Sequence, residues 1–97
     1  NEVFDMDEME QMLNETVKMM DDLMTDYSIP RNVRKNIQTI RNKLATDKTS
    51  LDVRAASSVI SLDELVNDPN MPGHARTVLY MVMSKLEILQ KKASHRP

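Results

Sequence analysis

Three arginines with similar surroundings are the first candidates for chemistry. Each lies near the start of a predicted helix, follows an apolar residue and comes shortly after a turn that contains aspartate: Arg34, Arg54 and Arg76. A guanidinium group at such a position can donate hydrogen bonds to a carboxylate or a carbonyl of the turn. We therefore expect the arginines to fasten the loops. The alternative is a row of anion-contacting arginines that binds a partner carrying carboxylates or phosphates.

The segment from residue 27 to 48 is basic, with a single acidic residue, and it offers Arg31, Lys35 and Arg41 as phosphate contacts. Nucleic-acid-binding domains are usually basic overall, and proteins that bind single strands usually add stacking aromatic residues. This chain has a net charge of −2, two tyrosines, one phenylalanine and no tryptophan. We expect the segment to face solvent or to pair with the acidic first helix, and nucleic acid binding is the alternative.

Methionine supplies much of the apolar volume, with nine residues in the chain. Most of them are expected to fill the core. Met12 and Met19 lie one heptad apart at the margin of the main apolar stripe of the first helix. A strip of partly exposed apolar side chains is typical of a contact surface. We therefore predict a protein interface, for a partner or a second copy, at Met12 and Met19 together with Met81 and Met83.

The sequence offers little for catalysis. It has no cysteine, no glycine-rich phosphate loop and no serine-centred hydrolase motif. The two histidines, His74 and His95, are far apart, and no Glu-x-x-His pair is available for a di-iron site. We expect His74 to be hydrogen-bonded or exposed in a turn. The predicted protein is not an enzyme, holds no metal or cofactor and has no inferred small-molecule substrate.

Charge is distributed unevenly along the chain. Residues 1 to 26 carry nine acidic side chains and one lysine, whereas residues 27 to 97 carry twelve basic and six acidic ones. In a compact bundle such asymmetry usually places complementary faces side by side. The sequence contains no spanning run of about 20 apolar residues and no signal-like segment. We expect a cytoplasmic protein that does not enter a membrane.

The elements that position these residues form an internal repeat. Residues 15 to 44 align without gaps onto residues 57 to 86. The identical pairs are Val17/Val59, Asp21/Asp63, Leu23/Leu65, Asp26/Asp68, Pro30/Pro72, Arg34/Arg76, Lys43/Lys85 and Leu44/Leu86. The aligned pattern covers a helix, a turn and a second helix, and its offset is in the forties, which is typical of helical hairpin repeats.

Apolar periodicity predicts four helices, over about residues 5–27, 29–44, 50–67 and 72–91. Amphipathic helices joined by short loops must pack antiparallel to cover their apolar stripes. Two hairpins are too few for an open repeat array, so the chain should close on itself. We predict an all-α fold, an up-and-down four-helix bundle built from two similar hairpins, as a single domain over residues 1–97.

Several details of these helices are also predicted. Tyr27 continues the heptad stripe of the first helix, and Ile60 belongs to the apolar surface of the third. That surface covers more than half of the circumference, so the third helix is predicted to be the most buried. Ser28, Thr49 and Asn70 are the expected helix caps, because short polar side chains favour that position.

Several segments resemble a small archaeal family of uncharacterised proteins. These segments are Ile29-Pro30-Arg31-Asn32-Val33-Arg34, Val53-Arg54-Ala55-Ala56-Ser57, Leu62-Asp63-Glu64-Leu65, Asn67-Asp68-Pro69-Asn70-Met71-Pro72 and His74-Ala75-Arg76-Thr77. The resemblance covers about residues 10 to 90, and the run from 67 to 72 is its most specific part. It implies a four-helix bundle, a cytoplasmic archaeal protein and no assigned activity.

A weaker resemblance to HEAT-type helical repeats rests on the apolar-arginine pairs Val33-Arg34, Val53-Arg54 and Ala75-Arg76. It implies protein binding only by analogy of fold. The leading hypothesis is therefore a small helical module that binds a protein partner or itself. The alternative is an RNA- or DNA-associated factor that uses the basic second helix.

Overall fold

The computed structural model describes residues 6 to 95, and their side chains from residue 8 onward. These residues form four helices: α1 (Met6–Met24), α2 (Arg31–Thr46), α3 (Leu51–Leu65) and α4 (Gly73–Ser94). Short turns make consecutive helices antiparallel. Helices α1 and α3 each pack against both α2 and α4, which closes the ring. The predicted four-helix bundle is confirmed, and the predicted helix start at residue 5 lies outside the described residues.

The core along the bundle axis is made almost entirely of aliphatic and sulfur-containing side chains. Each helix contributes residues three or four positions apart, and the largest fully buried ones include Met9, Met20, Val33, Ile37, Leu44, Leu62, Leu79, Val82, Leu86 and Leu89. Four aligned pairs of the repeat are fully buried in this core: Met20/Leu62, Val33/Ala75, Ile37/Leu79 and Leu44/Leu86. The buried hydroxyl of Thr16 donates to the Met12 carbonyl at 2.7 Å, so it adds no unpaired polar group.

The turn between α1 and α2 and the turn between α3 and α4 share one hydrogen-bond pattern. Asp26 Oδ1 accepts from the Ser28 amide at 2.9 Å, and Asp68 Oδ1 accepts from the Asn70 amide at 2.8 Å. An aspartate that bonds to the backbone two residues later stabilises a turn without help from distant residues. The repeat therefore extends to the turn geometry.

The residue after each turn is buried, and a proline then begins the next helix. Ile29 and Met71 are both buried. Pro30 and Pro72 occupy the N-cap positions of α2 and α4, each with ψ of 148°. Proline has no amide hydrogen to leave unpaired at a helix start, so it is tolerated there.

The predicted helix caps are wrong. Ser28 and Asn70 lie inside the turns, where their amides donate to aspartate side chains, and the two prolines hold the cap positions instead. The cap of α3 is Ser50 rather than Thr49, and its side chain makes no cap hydrogen bond. The Ser50 side chain bonds instead to Asp52, which lowers the pKa of that carboxyl group.

Helix ends differ from the predicted ones by one to three residues. Helix α1 ends at Met24 because the amides of Thr25 and Asp26 donate to carbonyls three residues back instead of four. Tyr27 therefore lies beyond the helix, outside the predicted stripe, and 82% of its surface is exposed. The later helices begin one or two residues after the predicted starts. Helices α2 and α4 end two and three residues after their predicted ends. Helix α3 ends two residues early.

Helix α3 has the largest share of buried residues among the described helices, as predicted, with four of 15 against five of 22 in α4. Its broad apolar surface is nevertheless not covered all round, because Ile60 is 66% exposed and Val53 is also exposed. The neighbours of α3 cover only the side that faces the bundle, so apolar residues on the far side stay in solvent. Among the described helices, none combines the length and the apolar character that crossing a lipid bilayer requires.

Candidate functional site

The three arginines occupy the same position in α2, α3 and α4. The amide of each donates to the carbonyl of the N-cap residue at 3.0 Å. Each guanidinium also donates to a carbonyl of the preceding turn or helix end: Arg34 Nε to Ile29 O at 3.1 Å, Arg54 Nη1 to Leu44 O at 2.8 Å and Arg76 Nε to Val66 O at 2.7 Å. The arginines therefore tie each helix start to the chain that precedes it.

Arg76 is the most fully bonded of the three. Its Nη2 also donates to the carbonyls of Asp68 and Met71, at 3.2 and 3.3 Å. Arg54 differs, because its Nε is buried without a hydrogen-bond partner among the described residues. The backbone thus engages Nε and Nη2 of Arg76, whereas the buried Nε of Arg54 is unused.

The three basic residues predicted to contact nucleic acid have different surroundings. Arg31 and Lys35 are exposed one turn apart on α2, and within residues 8 to 95 neither side chain forms an ion pair. Arg41 instead donates from Nε to Asp21 Oδ1 at 2.7 Å and from Nη2 to Oδ2 at 3.4 Å. Arg41 therefore holds α1 against α2, and only the other two remain available to a ligand.

An exposed aromatic ring contacts Arg34, which lines the same concavity as these two cations. The guanidinium carbon of Arg34 lies 4.7 Å from the centroid of the Tyr27 ring, which is cation–π distance. Next to it is an open concavity of about 320 Å³, lined by Met24, Arg31, Arg34, Lys35 and Gln38. Sequence reasoning missed this arrangement because it assigned Tyr27 to the buried stripe of α1.

A cleft lined mainly by polar residues lies between α2 and α3. Its volume is about 260 Å³, and its lining includes Lys43, Arg54 and the hydroxyls of several serines and threonines. These donors suit an oxyanion better than a metal ion. Asp47, the single carboxylate of the lining, uses Oδ1 to accept the Thr49 amide at 3.1 Å.

His74 joins the two related turns through a hydrogen bond with Asp26. Its Nε2 lies 2.7 Å from Asp26 Oδ2, and the Ser28 hydroxyl donates to Asp26 Oδ1 at 2.6 Å. The Ser28 hydroxyl also lies 3.2 Å from the same Nε2. A hydrolase triad uses opposite nitrogens of the imidazole for its carboxylate and its serine. Here both oxygens approach one nitrogen, so the cluster lacks that relay geometry and connects the turns.

Acid should weaken this connection. The Ser28 hydrogen bonds and, next, the His74 contact lower the pKa of Asp26 from 3.8 to about 2. A lowered pKa stabilises the folded state above the unfolded value and loses that stabilisation as the pH falls through the folded value. We expect wild type to melt at a higher temperature than Asp26→Asn near neutral pH, with the difference disappearing between about pH 4 and pH 2. Circular dichroism melts at stepped pH measure it, and a difference that stays constant would contradict the prediction.

The predicted methionine interface begins on α1. Met12 and Met19 lie three residues before and four residues after Glu15, so the three side chains share a face. Glu15 Oε1 lies 3.8 Å from Lys85 Nζ, which places that face against α4. Both methionines are partly buried against the core.

Helix α4 continues this face with Met81 and Ile88. These residues lie four before and three after Lys85, and their surfaces are 52% and 48% exposed. Met83 lies two residues from Met81, which is about 200° around the helix, and it packs partly against the core. The spacing around the Glu15–Lys85 pair puts Met12, Met19 and Met81 along the line where α1 meets α4, together with Ile88, whose exposure the sequence pattern did not reveal. A protein interface at these residues stays a prediction. Met12, Met19, Met81 and Ile88 together form the α1–α4 face.

Comparisons with known proteins agree on one family. The profile of an uncharacterised protein family, UPF0147, matches residues 1–89. A UPF0147 protein of Thermoplasma acidophilum is 45% identical over 82 residues, which cover 84% of this chain and 93% of the relative. A UPF0147 protein of Methanocaldococcus jannaschii is 35% identical over 78 residues, which cover 80% and 84% of the two chains.

A solved structure points to the same family. The crystal structure of a protein from the uncharacterised family UPF0147 of Thermoplasma acidophilum matches with a TM-score of 0.76 at 45% identity, covering 82% of this chain and 94% of that chain. The predicted resemblance to an uncharacterised archaeal family is confirmed, and the HEAT-type resemblance stays a prediction. The chain belongs to UPF0147, a family of uncharacterised, all-helical archaeal proteins.

Proposed function

We propose that the protein is a self-associating helical module that acts by protein contact rather than by catalysis. The α1–α4 face carries this proposal. Met81 and Ile88 are about half exposed on α4 and flank an ion pair shared with α1, and the partly buried Met12 and Met19 border them. Apolar side chains that line up along a seam, unlike scattered ones, are typical of a contact surface.

The charges of the two helices favour a second copy as the partner. Helix α1 contains six acidic residues and one lysine, whereas α4 contains four lysines and arginines and one glutamate. In a two-fold dimer the same surface patch meets itself in the opposite orientation. When the two-fold axis runs along the helices, the acidic α1 of one protomer meets the basic α4 of the other, so the face is complementary to its own copy.

The ion pair at the centre of this face permits such a rearrangement. Glu15 and Lys85 lie 3.8 Å apart and their side chains are 65% and 36% exposed. An exposed pair of this kind contributes about 1 kcal/mol or less, so exchanging partners with a second copy costs little. The apolar side chains on either side then supply most of the affinity.

The size of the face suits a modest dimer. Helices α1 and α4 contain 19 and 22 residues, which corresponds to lengths of about 28 to 33 Å and a joint width of about 20 Å. Covering that area buries roughly 600 Å² on each protomer, at the lower end of stable interfaces. We therefore expect a dimer that dissociates on dilution.

Two glutamates in this face should prevent self-association. The variant Met81→Glu with Ile88→Glu places carboxylates where apolar contact is proposed, and both sites are exposed enough to accept them without unfolding the monomer. Light scattering of wild type should give a mass that rises from 11.2 kDa towards twice that value with concentration and persists at high salt. The double variant should remain at the monomer mass.

The matched control uses the opposite side of the bundle. Val53→Glu with Ile60→Glu introduces the same charges at apolar residues of α3 that are 51% and 66% exposed. This control should dimerise like wild type. A wild type that stays monomeric at every concentration, or a control that loses dimerisation equally, would contradict the proposal.

A further inference from the structure

Tyr27 is held in solvent in a defined position. The ring is 82% exposed, and Arg34 lies 4.7 Å from its centroid. Arg34 is itself fixed, because its Nε donates to the Ile29 carbonyl at 3.1 Å. An aromatic ring that is already positioned loses little conformational freedom when a second flat group stacks on it. Tyr27 is therefore a prepared stacking surface.

Two cations share a concavity with Arg34, the residue that contacts this ring. Arg31 and Lys35 are exposed, form no ion pair within the described part of the chain and line the 320 Å³ concavity together with Arg34. Residues four apart on a helix have Cβ atoms about 6 Å apart. The two side chains can therefore contact neighbouring phosphates of one strand.

The carboxylates at the end of α1 and in the turn after it are engaged by other residues. Asp21 bonds to Arg41 at 2.7 Å, Asp22 lies 3.6 Å from Lys18, and Asp26 Oδ2 lies within hydrogen-bond distance of His74 Nε2, at 2.7 Å. An incoming polyanion therefore meets Arg31 and Lys35 as the uncompensated charges on this surface.

We propose that Tyr27, Arg31 and Lys35, the Tyr27 surface, bind single-stranded nucleic acid. One base stacks on the open face of the tyrosine ring, and the two cations contact adjacent phosphates. An unpaired strand supplies both a flat ring and regularly spaced phosphates, whereas a duplex hides its base faces and inorganic polyphosphate has none. Binding is weak and insensitive to sequence, because the site is small and reads no base edges. It lies apart from the α1–α4 face and does not depend on self-association.

The chain provides its own optical probe. It contains no tryptophan and only two tyrosines, so Tyr80→Phe leaves Tyr27 as the only tyrosine. Titrating that variant with a short oligothymidylate at low salt should quench the tyrosine emission as the base stacks. Two phosphate contacts on a single strand predict a slope of log K against log salt of about −1.4.

Two variants separate stacking from charge. In Tyr27→Ala, fluorescence anisotropy of a labelled oligothymidylate should show affinity reduced by about fivefold to 150-fold, which is the usual effect of losing one stacked base. The slope of log K against log salt should be unchanged. In Arg31→Gln with Lys35→Gln the slope should fall close to zero. Lys48→Gln with Lys91→Gln is the matched control, because it removes the same charge from the α2–α3 loop and the end of α4. Its binding should equal that of the wild type.

Several results would overturn the proposal. They are the absence of binding or quenching at low salt, an unchanged affinity in Tyr27→Ala, and a control variant, Lys48→Gln with Lys91→Gln, that loses as much affinity as Arg31→Gln with Lys35→Gln. Duplex DNA or polyphosphate that binds as tightly as the single strand would also overturn it, since neither offers a free base to stack. Circular dichroism of each variant establishes that a lost signal reflects the surface and not unfolding.

Discussion

Replacing Arg76 with alanine is expected to lower the free energy of unfolding by about 3 to 5 kcal/mol. The guanidinium donates to the carbonyls of Val66, Asp68 and Met71, at 2.7, 3.2 and 3.3 Å. Hydrogen bonds from charged donors contribute roughly 1.5 to 3 kcal/mol each, and three that share one side chain are not additive. Urea unfolding followed by circular dichroism measures the loss.

The internal repeat supplies the control for this prediction. Arg34 is aligned with Arg76 but donates to one carbonyl, that of Ile29, and otherwise contacts the exposed ring of Tyr27. Arg34→Ala should therefore cost only about 1 to 2 kcal/mol. Equal losses at the two positions would show that the carbonyl contacts of Arg76 do not stabilise the turn between α3 and α4.

The repeat explains why the fold could be predicted from the sequence. Apolar spacing places Ile37 and Leu79 at equivalent positions of the two hairpins, and both are fully buried. The aspartates of the two turns are aligned as well, and both turns use the aspartate side chain in the same way. Periodicity and turn chemistry are local properties, so they remain readable without the tertiary structure.

The sites were less predictable because exposure depends on what the neighbouring helices cover. Ile60 belongs to a broad apolar surface, yet no neighbour covers its side of α3, and it is 66% exposed. Tyr27 fits the heptad pattern but follows the end of α1. The charge asymmetry predicted that basic residues would pair with α1. The sequence pattern could not indicate that Arg41 forms such a pair while Arg31 forms no ion pair with any residue that the structure describes.

Replacing Ile37 with alanine is expected to lower the free energy of unfolding by about 2 to 5 kcal/mol. The side chain is fully buried in the core. Its removal therefore loses apolar transfer energy and leaves a cavity that rigid neighbours fill only in part. For a chain of 97 residues each kcal/mol corresponds to about 4 to 8 °C, so the melting temperature should fall by about 10 °C or more.

Ile60→Ala makes the same chemical change at a site that is 66% exposed. Little apolar surface is lost there, and alanine has the higher helix propensity, so the expected change is within about 0.5 kcal/mol. Leu79→Ala, at the position aligned with Ile37, should cost about as much as the Ile37 variant because both residues lie in the same core. Similar losses at Ile60 and Ile37 would mean that the outer side of α3 is covered in solution. The α3 surface, and not the α1–α4 face, would then be the contact between copies.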